Sequence, residues 1–286
     1  MSSSTRPVVV GVDESPASFG ALWWAAQEAR LRHLPLLIVH SLSAYTVTEA
    51  DAQAVVDEAA RFVRRSCAGT PAFTVVGTEP AGRELCHQSA SAALIVVASR
   101  GLGGFAGLLL GSVSGYVATH ARCPVLVIHN GQNWAGPERY DTSHHPVVVG
   151  VGPHAYPSDD PAGTLAVAFA EAALRHVELR AVRSWRPPPV PGRSDVRPLV
   201  ADVAELETAE RHDLAELLAP WRAKYPQVEV RPSVVPGGAA AALVAAATDA
   251  QLVVVGGPDG LQLGSVAQQV LHHAACPVLV VPGIAA

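Results

Sequence analysis

The sequence predicts an α/β protein made of two doubly wound domains, each built on a five-stranded parallel sheet. Short apolar, β-branched runs alternate with helical patterns, and three landmarks of the first half return in the same order in the second. Arg6-Pro7-Val8-Val9-Val10-Gly11-Val12 matches His145-Pro146-Val147-Val148-Val149-Gly150-Val151. Leu94-Ile95-Val96-Val97 matches Leu252-Val253-Val254-Val255, and Gly111-Ser112-Val113 matches Gly264-Ser265-Val266. Eleven residues beyond each Gly-Ser serine, Cys123-Pro124-Val125-Leu126-Val127 answers Cys276-Pro277-Val278-Leu279-Val280, which fixes the register of the repeat.

Continuous apolar runs are the mark of strands covered on both faces of a parallel sheet. In the first half these are Val8 to Val12, Leu34 to His40, Phe73 to Val76, Leu94 to Val97 and Val125 to Ile128. Ser15 to His33 opens with a Ser-Pro start signal and reads as a helix. Glu49 to Arg65 is a second, with Ala54, Val55, Ala59, Phe62 and Val63 near one face. Such alternation implies right-handed crossovers and a ligand crevice beyond the carboxyl ends of the strands. The functional loops are therefore expected after Val12 and Val97, and after Val151 and Val255.

With 286 residues and 49% hydrophobic content the chain is long enough for two cores. Domains are placed at 1–130 and 146–286, with a polar linker at 131–145. A net charge of −5, with no basic stripe, argues against nucleic-acid binding. The Ala-rich stretch from Ala239 to Ala247 is interrupted on both sides, which argues against a membrane span. Four scattered cysteines and no secretory segment before Val8 fit a reducing cytoplasm.

The chemistry is concentrated after the fourth strand, in Ala98-Ser99-Arg100-Gly101-Leu102-Gly103-Gly104-Phe105-Ala106-Gly107-Leu108-Leu109-Leu110-Gly111-Ser112-Val113-Ser114. Glycine-rich backbone approaches phosphate closely, and the helix expected from Gly111-Ser112 to His120 presents free N–H groups and a positive dipole end. A Walker loop is excluded because Lys224 is the only lysine and lies far from any glycine loop. The turn Gly11-Val12-Asp13-Glu14-Ser15 lacks the spaced glycines of a dinucleotide fingerprint. Asp13 is left with two roles, accepting hydrogen bonds from ribose or capping the following helix.

These residues resemble the universal stress protein family in its tandem-domain bacterial form, over essentially the whole chain apart from the linker. The resemblance implies an adenine nucleotide α-hydrolase-like, Rossmann-like fold. It also implies a loop pattern of Gly, two residues, Gly, nine residues, Gly, then Ser or Thr. Here Gly101, Gly111 and Ser112 fit, while Ala98 stands at the first glycine. The implied ligand is ATP, with or without Mg. Adenine and ribose would lie against Gly11, Val12, Asp13, Ser41 and Val97, and phosphates against Gly101, Gly111, Ser112, Val113 and Ser114. A left-handed backbone at Ala98 would strain the loop by roughly 1 kcal/mol, whereas negative φ would tolerate the methyl. The resemblance further implies that the strands at Val125 to Ile128 and Val278 to Val281 meet across a pseudo-two-fold axis, making an internal dimer. Each is apolar enough to need a partner strand.

The second repeat departs from the pattern. Its loop from Val255 to Gly264-Ser265 is five residues shorter, Gly152 replaces Asp13, and Asp259 brings a negative charge to the register of Gly101. It reads as a degenerate partner. His40 reads as a hydrogen-bonded residue at a strand end, and His120 and His273 as structural residues at helix C-termini. His144-His145 and His272-His273 lack the further ligands of a zinc site. Cys123 and Cys276 read as buried. The linker Trp134 and the segment Arg186-Pro187-Pro188-Pro189-Val190-Pro191 read as stiff connections. With no catalytic constellation in sight, the expectation is an ATP-binding stress or regulatory protein with an unidentified protein partner, capable at most of slow hydrolysis. A scaffold that has lost the ligand is the alternative. A further homodimer of the chain is left open.

Overall fold

Val-rich β1 (Val8–Gly11) lies buried between β2 (Leu36–Ser41) and β4 (Leu94–Ala98), all parallel, with β3 (Ala72–Gly77) outside β2 and β5 (Val125–Ile128) outside β4. The computed structural model describes residues 6–42, 48–99, 110–129, 144–152, 161–186, 200–257 and 262–283. Helices α1 (Pro16–Leu31) and α2 (Glu49–Ser66) cover one face of this half, and α3 (Ala81–Ser89) and α4 (Ser112–His120) the other. The second half repeats the plan with β6 (Val147–Gly150), α5 (Pro161–Arg175), β7 (Leu179–Trp185), α6 (Val200–Lys224), β8 (Val230–Pro236), α7 (Ala239–Ala246), β9 (Leu252–Gly256), α8 (Ser265–His273) and β10 (Val278–Val281).

The ten strands of the described residues form one sheet in the order β3-β2-β1-β4-β5-β10-β9-β6-β7-β8. The two parallel halves are joined by an antiparallel pair, β5 with β10, in which Leu126 stands opposite Leu279 and Val125 opposite Val280. Leu126 and Leu279 are equivalent in the repeat, so a pseudo-two-fold axis passes through their contact. This is the internal dimer the resemblance implied, and it explains why neither four-residue strand needs a charge to guard its edge. His129 Nε2 also donates across the junction to the carbonyl of Leu271, at 2.6 Å.

The core follows from the same symmetry. Side chains facing α1, α2, α5 and α6 form one buried cluster that runs through both halves, and those facing α3, α4, α7 and α8 form another. Paired details repeat as well. Helices α1 and α5 both end with a histidine in the left-handed region, His33 and His176, each at φ 55°. Leu34 donates to the carbonyl of Ala29 and Val177 to that of Ala172, the long hydrogen bond of a Schellman cap.

Candidate functional site

At the carboxyl end of β1 the chain must turn into α1 while leaving the crevice between β1 and β4 open. Gly11 lets Leu85 pack close, since a Cβ there would come 2.8 Å from Leu85 Cδ1 and that side chain would have to shift; a Cβ at Gly150 would meet Leu243 Cδ1 at 2.9 Å in the same way. Val12 is buried and donates to the carbonyl of Val39 at 2.9 Å. Asp13 then organises the entry to α1: its Oδ1 accepts from Ser15 N at 2.9 Å and from the Ser15 hydroxyl. The N-cap of α1 is Ser15, whose Oγ accepts from Ser18 N at 3.2 Å, so Asp13 supports the cap without being it.

His40, buried at the end of β2, lies with Nδ1 2.8 Å from the Val12 carbonyl, to which it donates; Ser41 follows it, also buried. On β4, Val97 is buried and Ala98 is the last residue of the strand, paired with Ile128. Among the described residues the non-glycine positions with positive φ are His33 and His176, so Ala98 is ordinary extended backbone and its methyl group introduces no strain.

Beyond Ala98 the two ends of the loop are pinned to each other. Ser99 N donates to the Ile128 carbonyl at 2.8 Å, and the Ser99 carbonyl accepts from Gly111 N at 2.6 Å and from the Ser114 hydroxyl at 3.0 Å. Gly101 lies outside the described residues. Gly111 is the N-cap of α4 (φ −74°, ψ 158°) and no side chain among the described residues caps the helix, with Ser112 and Val113 at the surface in its first turn. Ser114 is 2% exposed, and its hydroxyl is held among the carbonyls of Ser99 and Gly111. The arrangement brings an uncapped helix N-terminus, an extended strand end and a carboxylate to one end of the sheet. That combination suits anions and hydroxyl groups.

The second half differs in a coordinated way. Gly152 follows β6 where Asp13 follows β1, and Ala267 replaces Ser114. At the register of His40 stands Arg183, 3% exposed. Its Nη1 donates to the Gly152 carbonyl at 3.3 Å, its Nε to Glu210, and its Nη2 lies 3.5 Å from Asp213. Counting back from the paired strands β3 and β8 puts Glu210 at the position of Ala52 and Asp213 at that of Val55. Where the first half buries His40, Ala52 and Val55, the second thus holds an ion cluster. Sequence reasoning missed it, although an arginine inside an otherwise buried strand was a visible signal. Residues 258–261 of the shortened loop, Asp259 among them, lie outside the described residues.

The remaining titratable candidates are structural in place. His120 Nδ1 donates to the Tyr116 carbonyl and its ring stacks on Tyr116. Burial pushes the thiols of Cys123 and Cys276 up to about 12, far from a thiolate at neutral pH. Lys224 ends α6 with its Nζ 5.2 Å from the centre of the Trp221 ring. Among the described residues no helix is long and apolar enough to cross a membrane.

The chain is similar to proteins that share both halves. Universal stress protein Rv2623 of Mycobacterium tuberculosis is 34% identical over 308 residues, covering 97% of each chain, and Universal stress protein Rv2005c of the same organism is 35% identical over 301 residues, covering 96% of each. The crystal structure of a universal stress protein from Archaeoglobus fulgidus superimposes with a TM-score of 0.65 at 19% identity, covering 99% of both chains, which bears on the fold alone. The family model described as Universal stress protein family matches residues 4–129 and again 144–282, so the chain belongs to the universal stress protein family, as a tandem of two such domains.

Proposed function

We propose that this protein binds ATP in the crevice of its first half and acts as a cytoplasmic stress-response regulator, not as a catalyst. Gly11, Val12, Asp13, Ser41, Val97 and Ala98 would border adenine and ribose. Gly101, Gly111, Ser112, Val113 and Ser114 would meet the phosphates, with or without Mg. The observation that carries the reading is the uncapped N-terminus of α4 at Gly111, held beside the end of β4 by the Ser99–Gly111 hydrogen bond. The unstrained backbone at Ala98 removes the one objection raised by the motif. Nucleotide occupancy would bias the loop between Ser99 and Gly111 and through it a partner surface. Hydrolysis would be slow at most, because the only lysine is at the end of α6.

The second half reads as a non-binding partner. It lacks the acid at Gly152, and the Arg183 cluster places two carboxylates against one guanidinium at the matching end of its sheet. A scaffold reading has one observation in its favour: Asp13 and Ser114 both already serve internal hydrogen bonds. Isothermal titration with ATP, together with assay of copurified nucleotide, separates these readings. One equivalent bound, weakened by Asp13→Ala and Gly111→Ala in variants of unchanged circular dichroism, is the expected result. No heat and no copurified nucleotide would leave the scaffold. Two equivalents would overturn the asymmetry.

A further inference from the structure

The ten-stranded sheet has two outer edges, β3 and β8, and they are finished differently. Leu36 N donates to the Pro71 carbonyl at 2.8 Å and Leu42 N to that of Gly77 at 3.0 Å. By the alternation of a parallel ladder, the odd-numbered residues of β3 turn their peptide groups toward β2, and Ala72, Thr74 and Val76 turn theirs outward. On β8, Leu179 N donates to the Glu229 carbonyl at 2.8 Å, so the outward residues are Val230, Pro232, Val234 and Pro236. Two of those four positions are prolines and have no N–H to offer, which blunts that edge without disturbing the inner ladder. Pro232 is the repeat equivalent of Thr74.

Among the described residues the β3 edge has no such guard. Ala72-Phe73-Thr74-Val75-Val76-Gly77 carries no charge and no proline, and Phe73 is 60% exposed. We propose that β3 docks a second copy of this chain, pairing antiparallel with its own counterpart about a two-fold axis at Thr74. The outward residues are symmetric about that position. Thr74 meets Thr74 of the second copy and Ala72 meets Val76, each pair exchanging both of its hydrogen bonds. Phe73 then lies opposite Val75 of the second copy on the same sheet face, an aromatic and β-branched cross-strand pair.

Charge supports the same arrangement. Helix α2 covers β2 and β3, and its exposed residues are segregated: Glu49, Asp51, Asp57 and Glu58 come first, then Arg61, Arg64 and Arg65. A two-fold axis at Thr74 sets the two α2 helices antiparallel, acidic end toward basic end. The chain already joins its own halves by a short antiparallel pairing of apolar edges, β5 with β10. Because the pairing is two-fold and β8 turns Pro232 and Pro236 outward, the contact closes as a dimer and does not propagate into a filament.

The test is the molar mass of the full chain across a concentration series, by sedimentation or by light scattering after size exclusion. The wild-type chain is expected to pass from one 29.7 kDa unit to two as concentration rises. Thr74→Pro copies the residue that β8 carries at the same place and removes both central N–H groups, so it should weaken dimerisation roughly tenfold or more. Phe73→Lys, which leaves the backbone intact, should do the same, and both variants should keep the wild-type circular dichroism. A wild-type chain that stays monomeric to its solubility limit overturns the proposal. So does a dimer that neither substitution weakens.

Discussion

Arg175 at the end of α5 reaches Glu28 on α1, in the other half of the chain, with Nη2 2.5 Å from Oε1. Arg32 returns the contact to Glu171, and each arginine also pairs with the glutamate four residues before it on its own helix. The result is a closed ring of four alternating charges about the pseudo-two-fold axis, with all four side chains largely buried. Burial alone would lower the pKa of the Arg32 guanidinium, but Glu28 and Glu171 raise it above its ordinary value. Removing one member leaves a buried charge short of a partner, so Glu28→Ala should destabilise the fold by about 3–5 kcal/mol. Replacing all four by apolar residues of similar volume should be far milder. Chemical denaturation of the two variants checks the difference.

Gly11 makes a second prediction. A methyl group there would stand 2.8 Å from Leu85 Cδ1, and Leu85 is itself buried. Gly11→Ala should destabilise by about 1–3 kcal/mol through overpacking, and Leu85→Val should recover part of that loss in the double variant. Additive losses in a double-mutant cycle would disprove the contact as the cause.

At Ala98 the outcome runs against the motif. Restoring the family's glycine should not tighten nucleotide binding, because the strand backbone at this position does not need left-handed freedom. Ala98→Gly should instead lower stability by about 0.5–1 kcal/mol through the greater entropy of the unfolded chain. A marked gain in ATP affinity would show that the methyl group itself obstructs the site.

The buried thiols set an alkaline limit. Burial raises the pKa of Cys123 and Cys276 to about 12, against an ordinary value of 9.0. Stabilisation from keeping them neutral is complete below pH 9 and is lost as the pH climbs toward the folded values. Each thiol contributes about 1.4 kcal/mol of lost stability per pH unit across that window. Thermal melts between pH 8 and 11 should therefore fall steeply for the wild type and less steeply for Cys123→Ala.

Much of this fold was legible in the chain. The strand runs at Val8, Leu94 and Val125 were apolar without interruption because both sheet faces are covered, and their recurrence placed the second half. The helix starting at Gly111-Ser112 and running toward His120 was legible too, and it spans Ser112–His120. The charge ring was not legible. Glu28-x-x-x-Arg32 and Glu171-x-x-x-Arg175 each look like a surface pair on one helix turn, and only the joining of β5 to β10 brings them together. The Arg183 cluster escaped for a similar reason, its partners lying on α6, 27 residues and more along the chain. Asp13 was left between two roles because the local sequence fits both; the serine that takes the cap lies two residues on.

The exchange of His40, Ala52 and Val55 for Arg183, Glu210 and Asp213 has a meaning that depends on the single chain. In an assembly of two identical subunits, any substitution at one crevice appears at both, so neither can be reshaped without altering its twin. Here the symmetric parts, the Leu126–Leu279 contact and the charge ring, hold the halves together while the ends of their sheets vary independently. Covalent linkage gives the molecule two addresses where a homodimer has one.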